Sequence, residues 1–210
     1  MTSPKKFDEE YFERGITSGR SLYEDHHWMP ERSLCEAHWF AKAFDITRGD
    51  LVLDFGCAKG FFVHALRLLG YIAYGYDIST YAIEHCVPSV RGFVMDSFSF
   101  IPKCDFGLCK DVLEHCEDAE DLRFTLDRIK KSADEWLIIV PLARAGKYVI
   151  PEYEQDVTHV IRYDAEKWIT AIKDVGFTID HATTRWQGIK DHWQQRETLD
   201  GNLFVRCSCE

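Results

Sequence analysis

The sequence has no cluster of basic residues: 35 acidic residues stand against 25 basic ones, and no lysine- or arginine-rich block offsets the resulting charge of −10. A nucleic-acid partner is therefore not expected. Long apolar runs are missing too. Stretches such as Trp136 to Val140 fall far short of the roughly 20 residues a membrane span needs, and the first ten residues have no apolar signal core. Neither membrane insertion nor secretion is expected. The eight cysteines form no Cys-x-x-Cys pair and follow no regular spacing, which argues against a disulfide framework or a zinc knuckle. Small buried thiols in a reducing cytoplasm fit them, and a cytoplasmic location is the expectation.

What is there is the composition of one soluble globular domain, with 46% hydrophobic and 29% charged residues in 210. From residue 51 onward, apolar runs of strand length alternate with stretches of helical period. The expected strands are Leu51 to Phe55, Tyr71 to Asp77, Arg91 to Met95, Cys104 to Cys109, Trp136 to Val140 (ended by Pro141), Phe177 to Ala182 and Leu203 to Ser208. Helices are expected over Gly60 to Leu69, over Ser79 to Cys86 with the serine as cap, along the face Leu122, Leu126, Ile129 and Ala133, and along Ala165, Trp168, Ile169, Ile172 and Val175 up to Gly176. Leu34, Ala37, Phe40, Ala41 and Phe44 repeat like a helix packed on the sheet. This order is α/β, a wound sheet with covering helices.

Residues 1–30, 142–163 and 184–202 stand outside the alternation and are rich in aromatic, histidine and charged residues. The first carries Phe7, Tyr11, Phe12, Tyr23, His26, His27 and Trp28, a candidate lid over a domain of residues 31–210, and its rings could equally meet a second subunit in a homodimer. The other two are candidate substrate-side insertions; His192 in the last is a less secure pocket residue.

Between the first strand and its helix stands Asp54-Phe55-Gly56-Cys57-Ala58-Lys59-Gly60, a loop of small residues where a ligand can approach the backbone. It fails the dinucleotide fingerprint, because Ala58 and Phe61 occupy its second and third glycine positions. The next strand ends at Asp77, which puts a carboxylate beside this loop at the carboxyl edge of the sheet, where it can bind a ribose.

These residues resemble the class I S-adenosylmethionine-dependent methyltransferases, whose first motif is acidic-x-Gly-x-Gly-x-Gly and whose second strand ends in a ribose-binding acid. Ala58 at the middle glycine is the one departure in Asp54 to Gly60. The resemblance continues through Tyr74 to Ser79, Ala82-Ile83, Met95-Asp96 and Cys104 to His115, and spans about residues 48–183. It implies a Rossmann-like, doubly wound seven-stranded sheet, mostly parallel with an antiparallel last strand and helices on both faces. It also implies the cofactor S-adenosylmethionine, with S-adenosylhomocysteine as product. Gly56 and Gly60 would shape the loop under its methionine part, Asp77 would accept its ribose hydroxyls, and Asp96 would receive the adenine amine beside a stacking Phe98 or Met95. Asp54 would order the loop or meet the amino group, and Cys57, Ile78, Ser97 and Lys110 complete the expected cofactor contacts. Arg20, in Ser18-Gly19-Arg20-Ser21, could hold the cofactor's carboxylate or an anionic substrate, or lie solvated at the surface.

Methyl transfer from a sulfonium is an in-line displacement that needs alignment, exclusion of water and, where the acceptor loses a proton, a base. His115 closes Asp111-Val112-Leu113-Glu114-His115 after the fourth strand; it can serve as a base, position the substrate, or be structural. Asp111, Glu114 and His115 also resemble the divalent-cation motif of ubiquinone-pathway and small-RNA 2′-O-methyltransferases, so a magnesium or manganese site is the alternative, provided that the turn is helical. His159, in Asp156-Val157-Thr158-His159, is the second candidate base, or a tie between its segment and the sheet. The expected function is methylation of an oxygen or nitrogen of a small-molecule acceptor. The alternatives are metal-assisted methylation of a ribose or catechol-like diol, and a non-catalytic regulatory protein of the same fold.

Overall fold

The computed structural model describes residues 2–191 and 200–209. His192 lies outside them, as does most of the final insertion. The N-terminal segment holds two short helices, α1 (Glu9–Glu13) and α2 (Gly15–Ser18), and leads into α3 (Pro30–Ala43). Then follow β1 (Leu51–Phe55), α4 (Phe61–Leu68), β2 (Ile72–Tyr76), α5 (Thr80–Glu84), β3 (Val94–Met95), β4 (Cys104–Lys110), α6 (Ala119–Ser132) and β5 (Ala133–Pro141). A small hairpin of β6 (Ala143–Arg144) and β7 (Lys147–Tyr148) precedes α7 (Ala165–Asp174), β8 (Phe177–Thr183) and β9 (Asn202–Cys209).

Seven strands form one sheet in the order β3-β2-β1-β4-β5-β9-β8. The pairs among β1 to β5 are parallel, and β9 runs antiparallel to both β5 and β8, as the resemblance implies for the last strand. The strand order reverses between β1 and β4, which opens a crevice at their carboxyl ends, where Asp54, the glycine loop and residues 110–115 all stand.

The two-residue period of β5 builds both layers. Trp136, Ile138 and Val140 face α6 and α7 through Leu122, Leu126, Ile129, Trp168 and Ile172, while Leu137 and Ile139 face α3 and α4 through Phe40, Phe44, Val63 and Leu66. Each such side chain, once fully buried, contributes about 1.5–3 kcal/mol. Gly107 in β4 is required by this packing, since a Cβ there would stand 2.5 Å from the Trp136 ring. The helix over residues 34–44 lies against this second layer, as its spacing predicts.

Three local expectations change. The third strand shrinks to Val94–Met95, because the turn at Pro88–Val90 and the left-handed Gly92 (φ 96°) occupy its expected beginning. Ala133 is extended (φ −149°, ψ 165°) and opens β5 directly, so it is not on the α6 face. Pro141 does not end the strand before itself but pairs with Asn202 as the last residue of β5. Ser79 caps α5 as expected, its hydroxyl accepting from the Ala82 amide at 3.0 Å. All eight cysteines are free thiols and six are buried. Among the described residues no helix is long and apolar enough to cross a membrane.

Candidate active site

The glycine loop alternates left-handed residues: Gly56 (φ 87°), Ala58 (φ 47°) and Gly60 (φ 76°). A Cβ on Gly56 would lie 2.2 Å from Cγ2 of Val112, so only glycine fits between the loop and the residues after β4. Gly56 and Cys57 donate their amides to the Tyr76 carbonyl, at 2.7 and 3.0 Å. The Asp77 carboxylate then closes the loop, accepting from the Ala58 amide at 2.7 Å and the Ser79 amide at 2.8 Å. Burial pushes Asp77 up to about 6 despite these two donors. Burial raises Asp54 further, to about 7, with Lys110 opposing the rise and Asp77 and Glu36 adding to it.

Two cavities flank the loop. The first, about 540 Å³, is lined by Tyr76, Asp77 and Ile78 at the end of β2, by Val112, and by Phe124 and Arg128 of α6. The second, about 340 Å³, reaches Asp54, Cys57, Lys110, Glu114 and His159. Six residues line both: Tyr11, Tyr23, Gly56, Ala58, Asp111 and His115.

Residues 2–28 roof the first cavity, where Thr2, Phe7, Tyr11, Phe12 and Tyr23 turn inward. Their anchors are the Ser79 hydroxyl, which donates to the Phe7 carbonyl at 2.5 Å, the Thr2 hydroxyl on Asp121 at 2.7 Å, and Lys59. Lys59 leaves the glycine loop to donate to Glu13 at 2.5 Å and to the His26 carbonyl at 2.7 Å, and is only 8% exposed. Lys59→Met should therefore loosen the whole segment, because Glu13 loses its cation inside a partly buried contact. Trypsin cleavage after Lys5, Lys6, Arg14 and Arg20 is expected to accelerate about tenfold, roughly 1.4 kcal/mol of local stability. An unchanged cleavage rate would mean that the aromatic contacts hold the segment alone.

His115 is buried, and its Nδ1 lies 2.8 Å from the Thr158 hydroxyl, which itself donates to Asp156 at 2.5 Å. The hydroxyl proton being used, Nδ1 of His115 carries the proton of that contact and Nε2 is the basic nitrogen. Tyr11 joins the chain, its hydroxyl donating to the other Asp156 oxygen at 3.0 Å. His159 donates Nδ1–H to the Tyr153 carbonyl at 2.9 Å, which leaves Nε2 facing Asp156 at 3.8 Å and Glu114 at 4.0 Å. Burial lowers both histidines, His115 to about 4, so both are neutral near pH 7. Burial, with the Asp111 charge adding to it, raises Glu114 well above the usual carboxylate range.

Asp111 goes elsewhere. Its carboxylate is held by Lys190, 1% exposed, which also donates to the Tyr153 hydroxyl at 3.0 Å and to Asn202 Oδ1 at 2.9 Å. Against its own burial, Asp111 is kept below the usual carboxylate range by Lys190 and then Lys110. The alternative metal set of Asp111, Glu114 and His115 does not gather among the described residues: residues 113–115 form a 3₁₀ turn, and Asp111, at φ 57°, is held by Lys190. The ligand atoms that do gather belong to Glu114, His115 and His159, all within 4.8 Å of one another.

Six expected cofactor residues line neither cavity: Gly60, Arg20, Asp96, Ser97 and the stacking candidates Met95 and Phe98. Gly60 begins α4 as its left-handed cap. Arg20 is drawn to acids of its own segment, Asp8 at 2.9 Å and Glu10 at 2.8 Å, and to the Lys6 carbonyl, so it folds the roof and does not reach the loop. Asp96 is exposed, and Ser97 lies beside it, because β3 ends after two residues and the chain turns into Phe98–Phe100. The wall near that end is built by Arg128, whose guanidinium lies over Phe98 at 4.6 Å and Tyr76 at 5.0 Å and donates to the Tyr76 hydroxyl at 3.2 Å. Lys110 lines the second cavity but already holds Glu36, at 2.6 Å. Lys190 and Arg128 escape sequence reasoning, as each reaches its partner across more than fifty residues of chain.

A family model described as a methyltransferase domain matches residues 26–182. No curated protein matches the sequence. Among solved structures, the chain is similar to magnesium protoporphyrin IX methyltransferase (ChlM) from Synechocystis PCC 6803 with bound SAH, at 16% identity and a TM-score of 0.63, over 86% of this chain and 83% of that one. It is also similar to the 1,6-didemethyltoxoflavin-N1-methyltransferase of Burkholderia thailandensis, with its bound substrate and S-adenosylhomocysteine, at 12% identity and a TM-score of 0.61 over 86% and 80%. A SAM-dependent methyltransferase from Archaeoglobus fulgidus matches at 19% identity and a TM-score of 0.60 over 84% and 94%. At these identities the likeness is one of fold.

Proposed function

The chain belongs to the methyltransferase-domain family of S-adenosylmethionine-dependent enzymes, and from that premise we propose that it methylates an oxygen or nitrogen of a small-molecule acceptor. The observation that carries the reading is the pair of cavities joined at the glycine loop, with the His115 ring in their shared wall. The first cavity suits a nucleoside: Asp77 at its wall is a buried acceptor for ribose hydroxyls, and Ile78, Val112 and Arg128 offer apolar and planar faces to a base. The buried Asp54 in the second cavity suits an ammonium group. Bound across the loop, the cofactor supplies an electrophilic methyl on a sulfonium. The acceptor then occupies the rest of the second cavity, a space of small-molecule size, and two of the similar enzymes are named for small-molecule substrates.

The chain's own groups have three tasks. Tyr11, Tyr23 and Phe7 exclude water from the junction. Asp111, held by Lys190, and the His115 ring fix the acceptor in line, and such alignment can supply about 7–11 kcal/mol of the barrier. His115 Nε2, neutral and held in one tautomer by Thr158, is the atom that takes a proton the acceptor releases; His159 stands behind it.

A second reading is favoured by one observation, the buried trio Glu114, His115 and His159. The His159 ring carries its Nδ1 proton on the Tyr153 carbonyl and turns Nε2 toward Glu114, an arrangement that suits a metal ligand. In that reading a divalent ion orients an oxygen acceptor. Transfer of labelled methyl from S-adenosylmethionine into a fractionated extract, with and without EDTA, separates the readings. Label in small metabolites that survives EDTA is the expected result. Loss of label in EDTA, restored by manganese, would transfer the trio to the metal, and label confined to protein or nucleic acid would overturn the small acceptor. A non-catalytic regulatory protein would bind S-adenosylhomocysteine and label nothing.

A further inference from the structure

The second cavity is unevenly charged. Among the described residues its wall carries two cations, Arg32 and Lys110; Lys110 is held by Glu36 at 2.6 Å, and Arg32, its side chain 40% exposed, reaches the same carboxylate through Nε at 3.4 Å. Six more carboxyl groups border the same space: Glu24, Asp25, Asp54, Asp111, Glu114 and Asp156. Asp156 is satisfied by the Tyr11 and Thr158 hydroxyls. Glu114 is not satisfied: it is 1% exposed, and its Oε2 has no hydrogen-bond partner among the described residues although the residue lines the cavity. A buried polar atom of this kind marks a missing hydrogen-bond partner.

Asp111 is built to stay where it is. Lys190 grips it from behind, the two residues being non-glycine positions in the left-handed region at φ 57° and 58°, a backbone cost on both sides of one ion pair. The Asp111 side chain nevertheless keeps 30% of its surface exposed, and it stands in the wall that both cavities share. The phenol rings of Tyr11 and Tyr23 share that wall and present π faces of the sort that attract a cation. An anionic acceptor at Asp111 would meet carboxyl groups there, with Lys190 and Lys110, the cations that act on Asp111, already held by Asp111 and Glu36. A donor-rich cation would meet acceptors and rings.

We propose that the acceptor is a small amine, bound with its nitrogen donating to Asp111 and toward the orphaned Glu114. This rests on the methyl-transfer reading and narrows it to nitrogen. The bound ammonium loses one proton through His115 Nε2 to water, and the freed lone pair forms the N–C bond while the C–S bond breaks with its electron pair left on sulfur. The product leaves as a methylated ammonium, with charge conserved. His115 Nε2 accepts a hydrogen bond from the nitrogen and turns its lone pair toward the methyl.

The test uses two isosteric probes of opposite charge. Protein saturated with S-adenosylhomocysteine is titrated calorimetrically with benzylamine and with benzoate. Benzylamine is expected to saturate a single site, benzoate to give no binding, and Asp111→Asn to weaken benzylamine about tenfold or more. Should Asp111→Asn fail to fold around Lys190, Glu114→Gln carries the same comparison. Benzoate binding as tightly as benzylamine, benzylamine insensitive to the variant that folds, or no binding of either probe would each overturn the amine assignment. Failure of the wild-type protein to bind S-adenosylhomocysteine in the first step is a separate result, and it would overturn the cofactor reading instead.

Discussion

Replacing His115 with glutamine should lower methyl transfer about 100-fold or more while S-adenosylhomocysteine still binds within a few-fold of wild type. The size of the effect follows from what is lost. His115 is the one imidazole in the wall shared by both cavities, and its Nδ1 contact to Thr158 fixes which nitrogen is basic. Glutamine can keep a polar contact to Thr158 but offers no neutral basic nitrogen and no rigid ring for Phe7 to pack against, now 5.2 Å between centroids. General-base assistance is worth roughly 100- to 10,000-fold, and misalignment of a reacting atom costs a comparable amount. Because His115, at about 4, is a weak base, it passes the proton on to water and does not keep it; orientation carries the rest. The measurement is the initial rate on an acceptor recovered from the labelled extract, paired with a calorimetric titration. Retention of more than a third of the wild-type rate would remove His115 from the chemistry and point to His159.

The sequence and the structure agree where the signal is local and part where it is not. Asp54, the glycine loop and Asp77 are legible because strand period, small residues and a terminal acid occur within two dozen positions, and the parallel register of β1 with β2 brings them together. The two layers of the sheet are legible for the same reason, since the alternation along Trp136 to Val140 is the alternation of the faces. The place of Asp96 is not legible because a motif's order says nothing about how far a strand runs: β3 stops at Met95, and the next residue is exposed. Arg20 misleads because a guanidinium close in sequence to Asp8 and Glu10 finds them first. The largest change concerns Asp111. The spacing Asp111, Glu114, His115 reads as one helical face, but the left-handed φ at Asp111 breaks that face, and its cause, Lys190, lies 79 residues away. His159 replaces Asp111 in the cluster because the loop of residues 156–161 docks through Val160 and Ile161 amides on the Glu114 carbonyl, at 2.8 and 2.9 Å. Tertiary pairings of that kind have no local trace.

Asp77→Ala should weaken S-adenosylhomocysteine about 100-fold or more, and in the wild-type protein the same carboxylate should make affinity depend on pH. Two hydrogen bonds to a charged acceptor, at about 1.5–3 kcal/mol each, are removed from the ribose. Ala58 and Ser79 simultaneously lose the group that ties their amides together, so the loop under the ligand loosens as well. At about 1.4 kcal/mol per tenfold, the first loss alone accounts for two orders of magnitude. The pH dependence follows from the sign of the shifts. Burial raises Asp77 to about 6 and Asp54 to about 7 in the free protein, above the roughly 3.9 of an unfolded aspartate. These two groups therefore contribute stability that is complete below about pH 4 and is lost as pH rises through 6 and 7. A ligand that donates hydroxyls to Asp77 and an ammonium to Asp54 favours both carboxylates, so binding releases protons. Affinity should rise from pH 5 to 8, by at most about tenfold per pH unit for each proton released, and level off above about 7. The unliganded protein should lose thermal stability over that interval, while the shift in Tm produced by S-adenosylhomocysteine grows. Asp77→Asn isolates the two contributions: it keeps the shape, removes the charge near pH 6 and leaves only the rise owed to Asp54. Calorimetric titrations of both proteins across this range decide the matter. A flat wild-type profile would mean that neither carboxylate meets the ligand, whereas identical slopes in wild type and Asp77→Asn would leave Asp54 as the one proton donor on binding.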